Sequence, residues 1–458
     1  MTMRLSHNSK FLSNTDGSIT ILGLFFLVAC IAVAGLGLDV MHAMSTRTHL
    51  QVAGDSAAHA ALISRQNFSE AESKAIGVSV AKMALPTGKY GNSIQTSDIQ
   101  FGRWDAEKKS FTASAGEDDA VLVDVQQAAA RNNALGMYFL RFAGIWSMDV
   151  SWQSVFETYV PTCMREGFVA DLKVDVTTGN TYTPGFCIHA NTYVELNNDN
   201  TFHDGVIVSM PDKNDIVLPS DGTSSNTGLS KALRDGAYEL NVMRRIEEFI
   251  AGLQDKNSDY YRSYITNSEV LDISCVLSGK GCLGADEPGL TQIEMAWEEG
   301  RIHNVTCTKP SDFLQVKSST NTPFRNGILI TNCQVKLNDY QAFENMVLVS
   351  TNTNTQADGY AVTAASNFRL GRDDNCAAGN DAQILTYGAV KIAQSFESYG
   401  GQIIAGENIV FTADAVGISG ISLIAGGEIR GTTDSVIGFC GGAQMDNSFL
   451  PEYFRMAF

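Results

Sequence analysis

The chain has 458 residues, 44% of them hydrophobic, which is material for two or three domains with real cores. Asp and Glu outnumber Lys and Arg by 50 to 32, and the net charge of -18 argues against a nucleic-acid partner and against adhesion to anionic lipid surfaces. That balance suits an exported, soluble domain.

The first predicted element is an apolar run from Ile19 to Leu38, closed by Asp39, in which only Thr20 and Cys30 carry any polarity. At ~1.5 Å per residue such a run reaches about 30 Å, the thickness of a hydrocarbon core, so it predicts a single transmembrane helix. Arg4 and Lys10 precede it, and the positive-inside rule then keeps the tail 1–18 in the cytoplasm and exports the rest. Two short patterns compete: Ala32-Val33-Ala34 has the form of a cleavage site, and Leu27-Val28-Ala29-Cys30 that of a lipidation site. Against both, the apolar run continues through Leu38, whereas a mature N-terminus normally begins with polar residues.

Of nine cysteines, eight lie beyond the span, an even number that fits an oxidising compartment. Pairing by sequence neighbours joins Cys163 with Cys187, Cys275 with Cys282, Cys307 with Cys333 and Cys376 with Cys440. No C-x-x-C or nearby Cys/His pair has zinc spacing.

No proline occurs before Pro86, so the helix is expected to continue to Arg65, with Leu50, Ala53, Ala57 and Ala61 on one stripe. That stripe could meet another helix or sheet, or pack on its own domain. Ser69 and Glu72 form a capping box for a second helix ending near Leu85. Alternation in "DIQFGRW", a polar turn and Phe111 predict a hairpin; Val121, Val123 and Val125 a strand; "NALGMYFLRFAGI" a short helix; Met148, Val150 and Trp152 a last strand. Residues 39–160 thus read as an α+β module.

Gly17, the apolar span, Gly35, Asp39, Leu50-Gln51, Asp55, Ala57-Ala58 and Ala60-Ala61, in that order, resemble the amino-terminal module of the Flp pilus-assembly TadE/TadG-like family. "FGRWDAEKKSFTAS", "DDAVLVDV" and "SMDVSW" are similar to that family's periplasmic strands, and the likeness covers about residues 10–160. It implies a part in building or holding a tight-adherence pilus at the bacterial inner membrane, with pilus-assembly or other envelope proteins as partners. Two features depart from better-known members. "MDVSWQS" has Asp149 and Ser151 but Gln153 where a von Willebrand A metal loop needs serine, and Leu22 stands where a cleaved pilin, counted from Gly17, has glutamate.

Further along, Gly401–Gly420 and the next twenty residues match at Ile404/Ile424, Ala405/Ala425, Gly406/Gly426, Ile409/Ile429, Thr412/Thr432 and Asp414/Asp434. A period of twenty with short apolar strands predicts a right-handed parallel β-helix, a solenoid, over 161–211 and 324–445. Segment 212–323 breaks the pattern and reads as a helical, disulfide-clipped insertion, helical over Leu229–Leu253, or alternatively as a separate small domain; 446–458 reads as a tail.

Catalytic signals are weak. Ser79-x-x-Lys82 lacks partner motifs, and there is no G-x-S-x-G, H-E-x-x-H or phosphate loop. His42, His49, His189 and His203 read as solvated or structural, and Asp373, Asp374 and Asp381 as a weak calcium candidate. The sequence therefore predicts a non-enzymatic envelope component with no cofactor and room for an oligomer; a surface adhesin independent of a pilus and a β-helix carbohydrate-active enzyme are the alternatives.

Overall fold

A computed structural model describes residues 16–66, 68–274, 296–309, 311–318, 321–353, 359–412, 417–432, 434–441, 445–450 and 452–457. The chain divides into two compact units, Met1–Tyr159 with Glu452–Phe458, and Val160–Pro451.

In the first unit, helix α1 (Asp16–Ser64) runs unbroken through the apolar stretch and onward, as its freedom from proline allows. Helix α2 (Glu70–Ala84) begins at the capping box: the Ser69 hydroxyl accepts from the Glu72 N–H, and the Glu72 carboxylate accepts from the Ser69 N–H. Both helices pack on an antiparallel sheet in which β1 (Ile99–Asp105) lies between β2 (Ser110–Ala113) and β3 (Ala120–Gln127), followed by Val150–Tyr159 and then Tyr453–Met456. The expected tail 446–458 therefore supplies an edge strand, Tyr453 pairing with Tyr159 and Met456 with Phe156. Four residues, Tyr-Phe-Arg-Met, of which only Tyr453 is buried, are a signal too short to read locally as a strand. The helix expected in "NALGMYFLRFAGI" is absent: Leu135–Gly136 pairs with Ser147–Met148, and only Leu140–Ala143 makes a 3-10 turn.

The second unit is β-rich and its sheets are parallel. Successive short strands alternate between a 15-stranded and an 8-stranded sheet: Gly167–Ala170 then Lys173–Val176, Cys187–Ala190 then Tyr193–Leu196. Inward faces are apolar and fully buried, and rings line the interior from row to row: Phe186, Phe168, Phe411, Phe396, Phe368, Phe343, Phe324 and Trp297 meet in turn at centroid distances of 5.1 to 6.2 Å. The period of twenty appears as register, with Ile404 opposite Ile424 and Ile409 opposite Ile429.

The order of rows departs from the order of the chain. From Gly167 the chain adds rows at 187–190, 207–210 and 233–235, crosses through 236–266, and starts again at 267–272 at the opposite end of the sheet. It then adds rows in the same direction until Ser422–Ala425 pairs with Gly167–Ala170, so first and last rows meet at a seam in the middle. The crossing segment packs beside several rows: Asn191 donates to the Tyr238 carbonyl at 2.7 Å, Phe249 stacks on Phe449 at 4.9 Å, and Thr266 donates to the Gly300 carbonyl at 3.0 Å.

This changes the reading of 212–323. Its strands Leu233–Asp235, Asn267–Asp272, Arg301–Val305 and Phe313–Val316 belong to the two sheets. The continuous helix expected over Leu229–Leu253 is reduced to Leu229–Ala232, Asn241–Arg244 and Ile246–Gly252. Helical spacing of apolar residues loses here to an open sheet edge, where Leu233 pairs with Val208.

Candidate functional site at the end of the apolar stretch

Helix α1 changes surroundings within two turns. From Ile19 to Leu38 its large apolar side chains are exposed, and this is the one described helix long and apolar enough to cross a membrane. From Gly35 onward a stripe becomes buried: Gly35, Asp39, Thr46, Leu50, Ala53, Ala57 and Ala61, the spacing of one helical face. The stripe's small residues let helices approach closely. A Cβ on Gly77 of α2 would lie 3.0 Å from the Ala57 carbonyl oxygen and 3.1 Å from the Ala61 methyl, so the alanines pack within their own module.

Where the stripe begins, segment 137–142 lies against the helix. Asp39 is fully buried, and its carboxylate accepts the N–H groups of Tyr138 at 2.7 Å, Phe139 at 2.9 Å and Leu140 at 2.6 Å. Three convergent N–H donors satisfy a charge that burial would otherwise penalise, and the carboxylate serves them as acceptor where a helix would supply carbonyls. The Phe139 ring occupies the position of a side chain on Gly35, where a Cβ would come within 2.5 Å of Phe139 Cγ. The His42 ring sits 4.9 Å from that of Tyr138. An open cleft of about 730 Å³ results, lined by Leu38, Met41, His42, Tyr138, Phe139, Arg141 and Phe142.

Other positions singled out by the family likeness are spread along the same helix. Gly17 lies in its first turn, Leu50, Ala57 and Ala61 are in the core, and Gln51 and Asp55 are half-buried. The segment 137–142 had no site signal of its own; its one legible mark was an apolar aromatic cluster that reads equally as helix.

The remaining candidates do not assemble into a centre. Ser79 and Lys82 are exposed on α2. Asp149 accepts the Ala129 N–H at 2.8 Å beside the strand that holds Ser151 and Gln153. Asp374 accepts the Ala377 N–H, whereas Asp381 accepts from Asn447 and Gln383, and burial foremost raises its pKa. No group of three or more metal-ligating side chains occurs among the described residues. His189 is buried between Ser209 and Asn191 at 2.8 and 2.9 Å, and burial lowers its pKa. Cys163–Cys187, Cys307–Cys333 and Cys376–Cys440 are disulfides, while Cys275 and Cys282 lie outside the described residues.

The interior also holds a ladder with little sequence signature: Asn180 Nδ2 donates to Asn200 Oδ1 at 2.8 Å, and Asn200 Nδ2 to Asn226 Oδ1 at 3.1 Å. The Asn-Thr dipeptides at 180, 200 and 226 were its available signal.

Compared with known families, residues 167–441, more than half of the chain, match a domain of unknown function (DUF7867). Residues 17–66 match the Flp pilus-assembly TadE/G-like family, and residues 45–155 the Tad-like Flp pilus-assembly family. No curated protein and no solved structure matches the chain. Asp39 falls in the first pilus-assembly match and the backbone it holds in the second.

Proposed function

Since the chain belongs to the DUF7867 family and carries at its amino-terminal end the TadE/TadG-like module of Flp pilus assembly, we propose that it is a structural, non-enzymatic component of a Tad-type pilus assembly. The observation that carries this reading is the Asp39 contact, which ties the two pilus-assembly matches together at the point where the apolar stretch of α1 ends. In this reading α1 crosses the inner membrane once with its amino end in the cytoplasm, and both units lie on the far side. Three disulfides support an oxidising compartment for the second unit.

The second unit then acts as a right-handed parallel β-solenoid whose flat faces offer extended surfaces to protein partners. Rows that repeat at an offset of twenty, with like residues opposite like, support that part. Disrupting the gene is expected to abolish or reduce piliation and surface attachment, with restoration by the intact chain. Unchanged piliation would reject the reading, and release of sugar from envelope glycans by the purified protein would favour an enzyme.

A further inference from the structure

The segment beside Asp39 turns two sets of apolar side chains in opposite directions. Leu135 and Met137 are buried in the core of the first unit. Phe142 is 84% exposed and Trp146 71%, with Tyr138, Ile145 and Met148 also exposed. The segment is not a loose end: Leu135–Gly136 pairs with Ser147–Met148, Gly144 closes the 3-10 turn at a φ of 89°, and Asp39 fixes its backbone. A firmly held group of exposed rings calls for a covering surface.

Its position indicates which. Phe139 meets Gly35, about 6 Å along the helix axis on the membrane side of Asp39 at ~1.5 Å per residue. Exposed Val40, Met41 and Met44 carry the bare apolar surface of α1 past the same level. The rings are thus continuous with the surface that lipid covers. Trp and Tyr are the side chains that concentrate at the boundary between headgroups and acyl chains. From Asn132 to Met148 the sole charged residue is Arg141, whose guanidinium lies 5.9 Å from the Phe142 ring centroid, and a guanidinium is the cation that pairs best with phosphate. The acidic balance of the whole chain does not extend to this segment.

We propose that residues 138–148 form a second membrane contact, an aromatic collar seated at the headgroup boundary of the leaflet from which α1 emerges, which sets the rotation and tilt of the helix. The proposal rests on α1 spanning the bilayer. Retention of the full chain in alkali-washed membranes tests that premise separately.

The collar is tested with the full chain in liposomes of phosphatidylcholine and phosphatidylglycerol, plain or brominated near the carbonyl end of the acyl chains. Bromolipid is expected to quench part of the tryptophan fluorescence, and Trp146→Phe to remove that part while Trp104, Trp152 and Trp297 remain unquenched. Phe142→Asp, also at an exposed position, is expected to diminish the quenching. Quenching unchanged in Trp146→Phe overturns the proposal. So does a Trp146 that is shielded only at high protein-to-lipid ratio and becomes open to aqueous acrylamide on dilution with lipid, because a second copy then covers the collar.

Discussion

The two units hold themselves together in different ways. In the first, single contacts that recur nowhere else decide the arrangement: Asp39 with the backbone at 138–140, Gly35 with Phe139, Gly77 with Ala57. In the second, one arrangement recurs, row upon row, with like residues opposite like and rings meeting along the interior. Repetition spreads the work over many equivalent contacts, whereas the helical module concentrates it. A lesion in the second unit should therefore be felt as loss of a cooperative stack, and one in the first as a local release.

The largest expected effect is at the seam, where chain-distant rows meet. Phe168 is fully buried between Phe186 and Phe411, and Phe168→Ala is expected to cost about 3–5 kcal/mol, read from denaturant unfolding of the second unit. An equal shift in the unfolding of the first unit would break the distinction between the two. Next, Cys163→Ser with Cys187→Ser opens a bridge across a sequence separation of 24 and should lower the second unit's stability by about 3 kcal/mol in the same measurement. In the first unit, Ser69→Ala removes the capping box of α2 and should cost about 1 kcal/mol, confined to that unit.

The gentlest effect is a slope with pH. Burial lowers the pKa values of His189 and His303, so the unfolded chain takes up protons near the ordinary histidine value while the folded chain resists. Stability of the second unit is then full above about pH 6.5 and falls as pH drops toward the folded values. His189→Asn should flatten this slope in unfolding curves recorded across that window; an unaltered slope would remove His189 from the explanation.

Legibility in the sequence follows the same division. The offset of twenty was readable because stacked rows place Ile404 on Ile424 and Ala405 on Ala425, so structure writes itself as local repetition. The seam was not, because nothing in "GFVA" announces that its neighbour is "SLIA" more than two hundred residues away. The crossing segment is misleading for a related reason: apolar residues at Leu233, Leu240, Met243 and Ile246 fit one helix by spacing, but Leu233 pairs at the sheet edge and the helix breaks into Asn241–Arg244 and Ile246–Gly252. Where the apolar stretch of α1 ends, Asp39 stands out by its place after that stretch. Its partners did not, since the chain returns 99 to 101 residues later with backbone groups, which carry no residue signature.

The most direct measurement is purification of the intact chain from cross-linked, detergent-solubilised envelopes, followed by identification of what comes with it. A component of a Tad-type assembly is expected to bring pilus-assembly proteins in stable proportion. Recovery of the chain alone, from cells whose pili are being built normally, would contradict the proposed role.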